Sequence, residues 1–339
     1  SMAVFNSNDI YPVSADTELP FEQHRDIFHL TGIDQEETIL ILYPSSKDNK
    51  TRENLFIRRS DKHTKVWEGE KLSKDLASKL SGIDSVHFVE DFKNILHSIS
   101  SKVDTFYINK NEHYRANSPV ETREDRFISW LLKKYPAHKV SKSNPILQRL
   151  RSIKHIDEIN QIKKACDITK KGFNRVLKFV KPNVWEYQIE AEFIHEFINN
   201  SSKGFAYTPI IASGNDNNVL HYIKNNKICK KGELILMDVG AEYGNYSSDM
   251  TRTIPVSGRF SKRQRQVYES VLKVKNEATK LLKSGNNWKT FHEQVGEIMT
   301  SELIKIKLID KVDLKNETKK SPAYKKYFMH GTSHHLGLD

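Results

Sequence analysis

The spacing of hydrophobic residues changes near residue 150. Before it, short apolar runs alternate with stretches of helical spacing, whereas a long helical stripe follows it. A strand places alternate side chains on one face, and a helix repeats about every 3.6 residues. The first part therefore predicts a compact α/β domain over residues 3–148. Its predicted strands include 38–43 and 54–57, and its predicted helices include 72–80 and 124–134.

The second part predicts a long helix, then strands around a glycine-rich loop, then two more helices. The apolar stripe that starts at Ile159 keeps helical spacing until Lys181, Pro182 and Asn183 stop it. Residues 149–339 form the second predicted domain, so the predicted fold class is mixed α/β (α+β). Its predicted strands are 207–212, 233–238 and 246–255, and its last two predicted helices are 262–283 and 288–308.

Composition narrows the class of protein. Of the 339 residues, 37% are hydrophobic and 29% are charged, which suits two globular domains and is too apolar for wholesale disorder. The longest apolar runs are far shorter than the roughly 18–20 residues that cross a bilayer, so no membrane partner is predicted. The N-terminal residues lack the basic and apolar regions of an export signal, and the chain has only Cys166 and Cys229. We therefore expect a cytoplasmic protein.

The chain carries a formal net charge of +11 at pH 7. Such an excess is typical of nucleic-acid-binding proteins when it is gathered into one patch or arm. Here the lysines are scattered singly or in pairs among acidic and apolar residues, as at Lys163 and Lys164. We therefore expect a solvated basic surface and no nucleic-acid partner.

Two aspartates are predicted to lie where a charged carboxylate has an unfavourable free energy. Asp238 follows the apolar run at 234–237, so it lies in a predicted buried strand. Asp249 comes after Gly244 and Asn245, which are typical of a tight hairpin turn. A hairpin can bring the two carboxylates face to face, where like charges repel unless a cation lies between them. The alternative is an Asp238 that caps its turn and an Asp249 that pairs with Arg252.

Histidines at the end of the chain supply another type of ligand. The last ten residues contain His330, His334 and His335. Imidazole together with carboxylates suits manganese, cobalt, iron or zinc better than calcium. The segment 238–249 also lacks the glycine and the glutamate of an EF-hand loop. Spacing alone leaves a core or surface role open for each histidine.

Four short blocks occur together in an order that is typical of one family. They read Val-Leu-His-Tyr at 219–222, Met-Asp-Val-Gly-Ala-Glu-Tyr at 237–243, Ser-Asp-Met-Thr-Arg-Thr at 248–253 and His-Gly-Thr-Ser-His-His-Leu-Gly-Leu-Asp at 330–339. On these blocks the chain resembles Xaa-Pro aminopeptidase (aminopeptidase P), of the pita-bread metallopeptidases. The resemblance implies a creatinase/aminopeptidase P-like N-terminal domain, followed by a pita-bread catalytic domain that is truncated at its C-terminal end.

The resemblance also implies two divalent metal ions, most often manganese, with zinc or cobalt as alternatives. Asp238 matches the aspartate that chelates one ion, and Asp249 matches the aspartate that bridges both. His334 matches the histidine that binds the other ion. His221 and His330 match histidines that line the substrate site and act in catalysis. Two ions that share a water molecule lower its pKa and polarise the scissile carbonyl.

The same resemblance implies a substrate and an assembly. The family releases the N-terminal residue of peptides with proline at the second position, a bond that suits general peptidases poorly because proline fixes φ. Asp16 and Trp67 match positions from which family members reach a neighbouring subunit's active site, so we expect a homodimer or higher homo-oligomer. For Trp67, burial in the core is the alternative. His335, where an aromatic residue is frequent, is a further candidate for the substrate site.

Other functions within this class stay open. Prolidase shares the fold and the ligands but accepts only Xaa-Pro dipeptides. A non-enzymatic pita-bread protein would keep the fold as a peptide-binding surface. Such binding proteins generally lose metal ligands, whereas Asp238, Asp249 and His334 are all present. Methionine aminopeptidase is disfavoured because it lacks an N-terminal domain of this kind.

The family's ligand set ends with two glutamates downstream of the histidine, one of which is the proposed general base. The sequence ends at Asp339, before either glutamate and before a histidine expected two residues further on. We therefore expect a longer polypeptide, with an intact mass above 39.3 kDa, which mass spectrometry of the purified protein checks. A product of 39.3 kDa would contradict this, and we would expect it to retain metal weakly and to cleave no proline-containing peptide.

Overall fold

The computed structural model describes residues 1–110, 120–318 and 321–339. It divides into two compact units, Ser1–Lys154 and His155–Asp339. The predicted boundary at 148/149 falls inside the helix Asn144–Ser152. Pro145 lies in the first turn of that helix, where proline is favoured because its missing N–H would have no partner there.

The described part of the first unit alternates strands with helices. Predicted strands 38–43 and 54–57 correspond to Ile39–Leu42 and Glu53–Ile57, and predicted helices 72–80 and 124–134 correspond to Lys74–Ser81 and Arg123–Lys134. Its strands are β1 (Met2–Asn6), β2 (Ile39–Leu42), β3 (Glu53–Ile57), β4 (Val86–Phe88), β5 (Thr105–Ile108) and β6 (Lys139–Lys142). Its helices are α1 (Arg25–Thr31), α2 (Lys62–Trp67), α3 (Lys74–Ser81), α4 (Phe92–Ser100), α5 (Arg123–Lys134) and α6 (Asn144–Ser152).

These strands form one sheet in the order β4-β3-β2-β1-β5-β6. Strand β2 runs antiparallel to β1 and β3, and the other neighbours are parallel. Ile39 and Ile41 belong to a core cluster with residues of α4 and α5, whereas Leu40 belongs to a cluster with residues of α1, α3 and α6. Because helices cover both faces, the strand is an unbroken apolar run and does not alternate with polar residues.

The second unit carries the four sequence blocks. Within residues 1–110, 120–318 and 321–339, no helix combines the length and the apolar character that a membrane span requires. The helices of the second unit are α7 (Ile156–Phe179), α8 (Glu186–Asn199), α9 (Lys262–Leu281), α10 (Trp288–Lys305) and α11 (Lys311–Asn316). Its strands are β7 (Gly204–Phe205), β8 (Ile210–Ser213), β9 (Leu234–Val239), β10 (Ala241–Tyr243), β11 (Tyr246–Ser247) and β12 (Met250–Pro255).

The strands of this unit form two three-stranded sheets, β12-β9-β8 and β11-β10-β7. The single strand predicted at 246–255 is wrong, because β11 pairs with β10 whereas β12 pairs with β9 in the other sheet. The chain changes sheets at Ser248 and Asp249, so the interruption falls at a predicted metal ligand. The strand predicted at 207–212 begins only at Ile210.

Helices α7 and α8 pack closely against these sheets. Phe193 of α8 is fully buried, and its ring meets Phe173 of α7 edge-on at 5.0 Å between centroids. A Cβ on Gly172 would lie 2.9 Å from the Phe193 ring, so glycine permits this approach. The predicted stripe on α7 includes the buried Phe173 but also Leu177, which is 54% exposed.

We expect Phe193→Ala to lower the free energy of unfolding by about 3–5 kcal/mol, because it leaves a cavity between two helices. Ile198→Ala is the matched control on the same helix, since Ile198 is 54% exposed. It should change the free energy by less than about 0.5 kcal/mol. Urea unfolding of both variants measures the difference, and equal effects would contradict the assignment of this core.

Candidate metal centre

Asp238 lies in the central strand of a three-stranded sheet. Strand β9 pairs antiparallel with β8 and β12, which places Asp238 opposite Ile210 on one side and Thr251 on the other. Met237 and Val239 are fully buried, whereas Asp238 is half-buried. Strand alternation therefore turns this carboxylate away from the core that its neighbours join. A half-buried carboxylate in this place needs hydrogen-bond donors or a cation.

Asp249 is brought back to Asp238 by a tight hairpin. Strands β10 and β11 pair antiparallel across Gly244 and Asn245, whose φ angles are +57° and +67°. Glycine and asparagine tolerate this left-handed region better than other residues do. Asp249 lies between β11 and β12, and β12 pairs back onto β9. The hairpin predicted from Gly244 and Asn245 is confirmed.

One tyrosine hydroxyl contacts both carboxylates. Tyr207 Oη lies 2.7 Å from Asp238 Oδ1 and 3.2 Å from Asp249 Oδ1. A hydroxyl carries one proton, so it donates to only one carboxylate at a time. The pKa of Tyr207 is raised far above its usual value. Burial is the largest cause, followed by the hydrogen bond and charge of Asp238 and then by the charge of Asp249. The phenol therefore stays protonated, and at any moment one of the carboxylates lacks this donor.

His334 contacts the other oxygen of Asp249. Its Nε2 lies 3.2 Å from Asp249 Oδ2, and its Nδ1 lies 2.7 Å from the backbone oxygen of His335. A carbonyl only accepts, so Nδ1 carries the hydrogen of that bond, and a neutral ring then has its lone pair on Nε2. That lone pair faces a carboxylate oxygen. The contact becomes favourable when a proton or a metal ion lies between the two atoms.

These contacts place Asp249 in the middle of the three predicted ligands. Its Oδ1 shares the Tyr207 hydroxyl with Asp238, and its Oδ2 faces His334. Two carboxylates and one imidazole are donors that suit manganese, zinc or cobalt. Among the described residues, no three histidine, cysteine, aspartate or glutamate side chains are gathered closely enough to hold one ion. The three side chains therefore form two donor pairs that share Asp249, and neither pair by itself completes the ligand set of a metal ion.

Two hydrogen bonds hold the C-terminal segment in the second unit. The backbone N–H of Ser247, in β11, donates to the backbone oxygen of Gly337 over 2.8 Å. His292 Nδ1, on α10, lies 2.6 Å from Thr332 Oγ1. The bonds lie on either side of His334 along the chain. The first bond connects the segment of this exposed histidine to β11 of the hairpin, and the second connects it to α10.

A buried pair of hydroxyls fixes the residue before Asp249. Ser248 Oγ donates to the backbone oxygen of Ala241 over 2.9 Å and lies 2.6 Å from Thr169 Oγ1 of α7. Thr169 Oγ1 also accepts from the backbone N–H of Ala241 over 2.9 Å. Thr169 and Ser248 are buried. Helix α7 thus sets the position at which the chain passes from one sheet to the other.

Gly240 allows this close approach. A Cβ at this position would lie 1.8 Å from the backbone oxygen of Ser248 and 3.0 Å from the Tyr207 ring. Real Cβ atoms do not come so near to a backbone oxygen, so any other residue would displace Ser248 or Tyr207. Gly240 therefore allows the end of β9 to pack closely against Ser248.

Sequence reasoning missed Tyr207, Thr169 and His292. Tyr207 lies 31 residues before Asp238 and 42 before Asp249, so no local spacing connects them. Its only sequence signal is a polar aromatic residue just before a strand of the same sheet. Thr169 is likewise 79 residues from Ser248.

The ion pair considered as the alternative for Asp249 is not the contact that the structure shows. Arg252 Nη1 donates to the backbone oxygen of Thr251 over 2.7 Å. Arg252 lies within β12, opposite Met237. Asp249 lies outside that strand and contacts Tyr207 and His334 instead.

The three other predicted histidines are exposed. His221 lies in the turn after a short 3₁₀ helix. The His330 ring lies edge-on to Phe328 at 5.4 Å between centroids, and the His335 ring lies edge-on to Trp288 at 5.6 Å. The structure thus links Asp238 and Asp249 through the Tyr207 hydroxyl and brings His334 beside Asp249, and it places the other histidines on surface segments of the same unit.

Asp16 and Trp67 belong to the first unit. Asp16 is exposed in a bend, and Trp67 is 76% exposed, so the alternative of a core Trp67 is wrong. Trp67 ends the short helix α2, and the next residue, Glu68, is bound by Arg58 over 2.7 Å. That hydrogen bond lowers the pKa of Glu68 to about 2. An ion pair therefore holds the segment that exposes Trp67.

Comparison with known families places the chain in a class. The model of metallopeptidase family M24 matches residues 160–339, and the model of the aminopeptidase P N-terminal domain matches residues 1–107. The chain belongs to metallopeptidase family M24. The predicted mixed α/β fold, with an N-terminal domain and a catalytic domain of these types, is confirmed.

Individual relatives match along nearly the whole chain. The chain is 31% identical to the Xaa-Pro aminopeptidase of Escherichia coli (strain K12), over 96% of this chain and 74% of that protein. It is 29% identical to human Xaa-Pro aminopeptidase 3, over 98% of this chain and 65% of that protein. Zinc-substituted Escherichia coli aminopeptidase P in complex with product matches with a TM-score of 0.87 and 28% identity, over 100% of this chain and 76% of that chain.

We expect Tyr207→Phe to lower the affinity for Mn²⁺ about 10- to 100-fold. The substitution removes a hydroxyl that orients metal ligands, and losing such a group usually weakens metal binding by this factor. The ring stays, and only the hydroxyl between Asp238 and Asp249 is removed. Tyr243→Phe is the matched control, because Tyr243 lies in β10 with its ring 5.8 Å from the Lys164 ammonium. Isothermal titration calorimetry measures both variants. Equal affinities for Tyr207→Phe and the parent would contradict the role of this hydroxyl.

Proposed function

We propose that the protein is an Xaa-Pro aminopeptidase, a metal-dependent hydrolase that removes the N-terminal residue of peptides with proline at the second position. The observation that carries the proposal is the position of Asp249. One of its oxygens shares the Tyr207 hydroxyl with Asp238, and the other faces His334. This contact set lies in a chain of the M24 family whose relatives are Xaa-Pro aminopeptidases along nearly its whole length.

The two donor pairs define which residues would hold the metal. Asp238 and Asp249 would hold one divalent ion, and Asp249 and His334 would hold the other. When bound, two such ions supply a nucleophilic hydroxide at neutral pH and polarise the scissile carbonyl. We propose manganese as the physiological ion, with zinc and cobalt compatible with the same donors.

Other side chains would prepare the site and hold the peptide. The Tyr207 phenol stays protonated, so it orients a carboxylate without adding charge to the pair. Neutral or charged, the imidazoles of His221 and His330 can donate hydrogen bonds to peptide oxygens and to charge that develops on the carbonyl oxygen. His335, beside Trp288, would line the same site.

We propose a homodimer or higher oligomer in which Asp16 and Trp67 serve a neighbouring subunit. Val66 and Trp67 are 79% and 76% exposed, and such an apolar pair is costly to leave in water.

We also propose a cytoplasmic location. Both cysteines are free, which suits a reducing compartment.

The test is a peptidase assay with the full-length protein loaded with Mn²⁺. We expect release of the first residue from an Xaa-Pro-Xaa tripeptide, and much slower release from an Xaa-Pro dipeptide. Asp249→Asn should abolish turnover, because it removes the charge that both donor pairs share. Asp167→Asn, at an exposed position on α7, is the matched control and should keep the parental rate.

Two results would decide against this function. Faster cleavage of the dipeptide would identify a prolidase. Tripeptide cleavage by Asp249→Asn at the parental rate would show that the proposed metal ligands do not carry the reaction.

A further inference from the structure

Glu186, the first residue of α8, is a buried carboxylate outside the metal centre. It is fully buried and accepts four hydrogen bonds. Its Oε1 accepts from the backbone N–H and the hydroxyl of Ser213, over 2.8 and 2.7 Å. Its Oε2 accepts from Tyr222 Oη over 2.8 Å and from the backbone N–H of Lys227 over 3.0 Å. These bonds compensate the cost of burying the charge.

The arrangement of donors requires a carboxylate. The backbone N–H groups of Ser213 and Lys227 can only donate, one to each oxygen, so both oxygens must accept. Glutamine has nearly the same shape, but its NH₂ group would face one of these N–H groups whichever way the amide is turned. Glu186→Gln therefore disrupts the contacts without changing the size of the side chain.

The donors belong to the segment 213–227, which carries His221. Tyr222 follows His221 directly and is 7% exposed, whereas His221 is exposed. Glu186 binds this segment at its two ends and, through Tyr222, next to His221. Glu186 therefore contacts the segment at three points along its length.

Asn225 attaches the same segment to β8. It is 3% exposed and adopts a φ of +45°, in the left-handed region. Its Nδ2 donates to the backbone oxygen of Pro209, and its Oδ1 accepts from the backbone N–H of Ile211, each over 3.0 Å. Strand β8 pairs with β9, which carries Asp238. The segment is thus held to the sheet of the metal centre as well as to α8.

We propose that Glu186 is a positioning residue for His221. The inference rests on the proposed function, in which His221 lines the substrate site. Hydrogen bonds on both sides of His221 fix its backbone, so the imidazole keeps one position relative to the bound peptide. Positioning of this kind raises the rate because the bound geometry is prepared before the substrate arrives.

The test is a double-mutant cycle in the full-length, Mn²⁺-loaded protein. Glu186→Gln and Tyr222→Phe are each made with His221 and with His221→Ala. Tyr222→Phe removes one hydroxyl from the cluster and keeps the ring, so it remains informative if Glu186→Gln does not fold. Glu192→Gln is the control on the same helix, where an amide oxygen can still accept from Arg175.

We expect Glu186→Gln to lower kcat/KM roughly 10- to 100-fold when His221 is present, and Tyr222→Phe to lower it by less. Neither should lower it further in the His221→Ala background. Glu192→Gln should match the parent. Hydrogen exchange should quicken at 214–227 in Glu186→Gln and stay unchanged in α10.

Loss of activity by the same factor in both backgrounds would overturn the proposal, because Glu186 would then act through the fold in general. Parental activity and parental exchange in Glu186→Gln would overturn it as well. If His221→Ala itself keeps full activity, the role proposed for His221 is wrong. Hydrogen exchange then still decides whether Glu186 holds the segment.

Discussion

The centre of the second unit is governed by two carboxylates that share one proton donor. Asp238 and Asp249 both contact the Tyr207 hydroxyl, which can satisfy only one of them at a time. The unshared oxygen of Asp249 faces a ring nitrogen of His334. Asp238 is half-buried, so its carboxylate is unfavourable without a donor, whereas Asp249 and His334 are exposed. Under the proposed function, the divalent cations held by the two donor pairs would offset the repulsion among these acceptors.

Contacts from other elements of the unit position the segments that carry these groups. Thr169 of α7 binds the turn that precedes Asp249, and Gly240 lets that turn touch the end of β9. Glu186 of α8 holds the segment of His221. The two helices pack against each other through the buried rings of Phe173 and Phe193. Function here depends on packing between elements that are distant in sequence.

Much of this arrangement was predictable from the sequence, and the exceptions have physical reasons. Short apolar runs predicted β2 and β3, which are buried on both faces, and helical spacing predicted α3 and α5, which each bury one face. The Gly244 and Asn245 pair predicted the hairpin, because few residues tolerate its backbone angles. The split of residues 246–255 between two sheets was not predictable, since both halves have strand-like composition. The partners of Asp238 and Glu186 also escaped prediction, because each lies more than one element away along the chain.

The surface of the first unit also contains a contact that could not be predicted from the sequence. Burial of Trp67 was a reasonable expectation for a large apolar residue, yet the ring is 76% exposed. Helix α2 is short, and Arg58 binds the residue that follows it. An ion pair ten residues apart thus holds the residue that follows Trp67, and the hydropathy of Trp67 itself does not reveal this contact.

The most direct test of the central claim is an anomalous difference map from crystals of the full-length protein grown with Mn²⁺. We predict one manganese peak between Asp238 and Asp249 and a second between Asp249 and His334, with the Tyr207 hydroxyl still hydrogen-bonded to a ligand carboxylate. No manganese at Asp249, with Tyr207 alone between the two aspartates, would contradict the account.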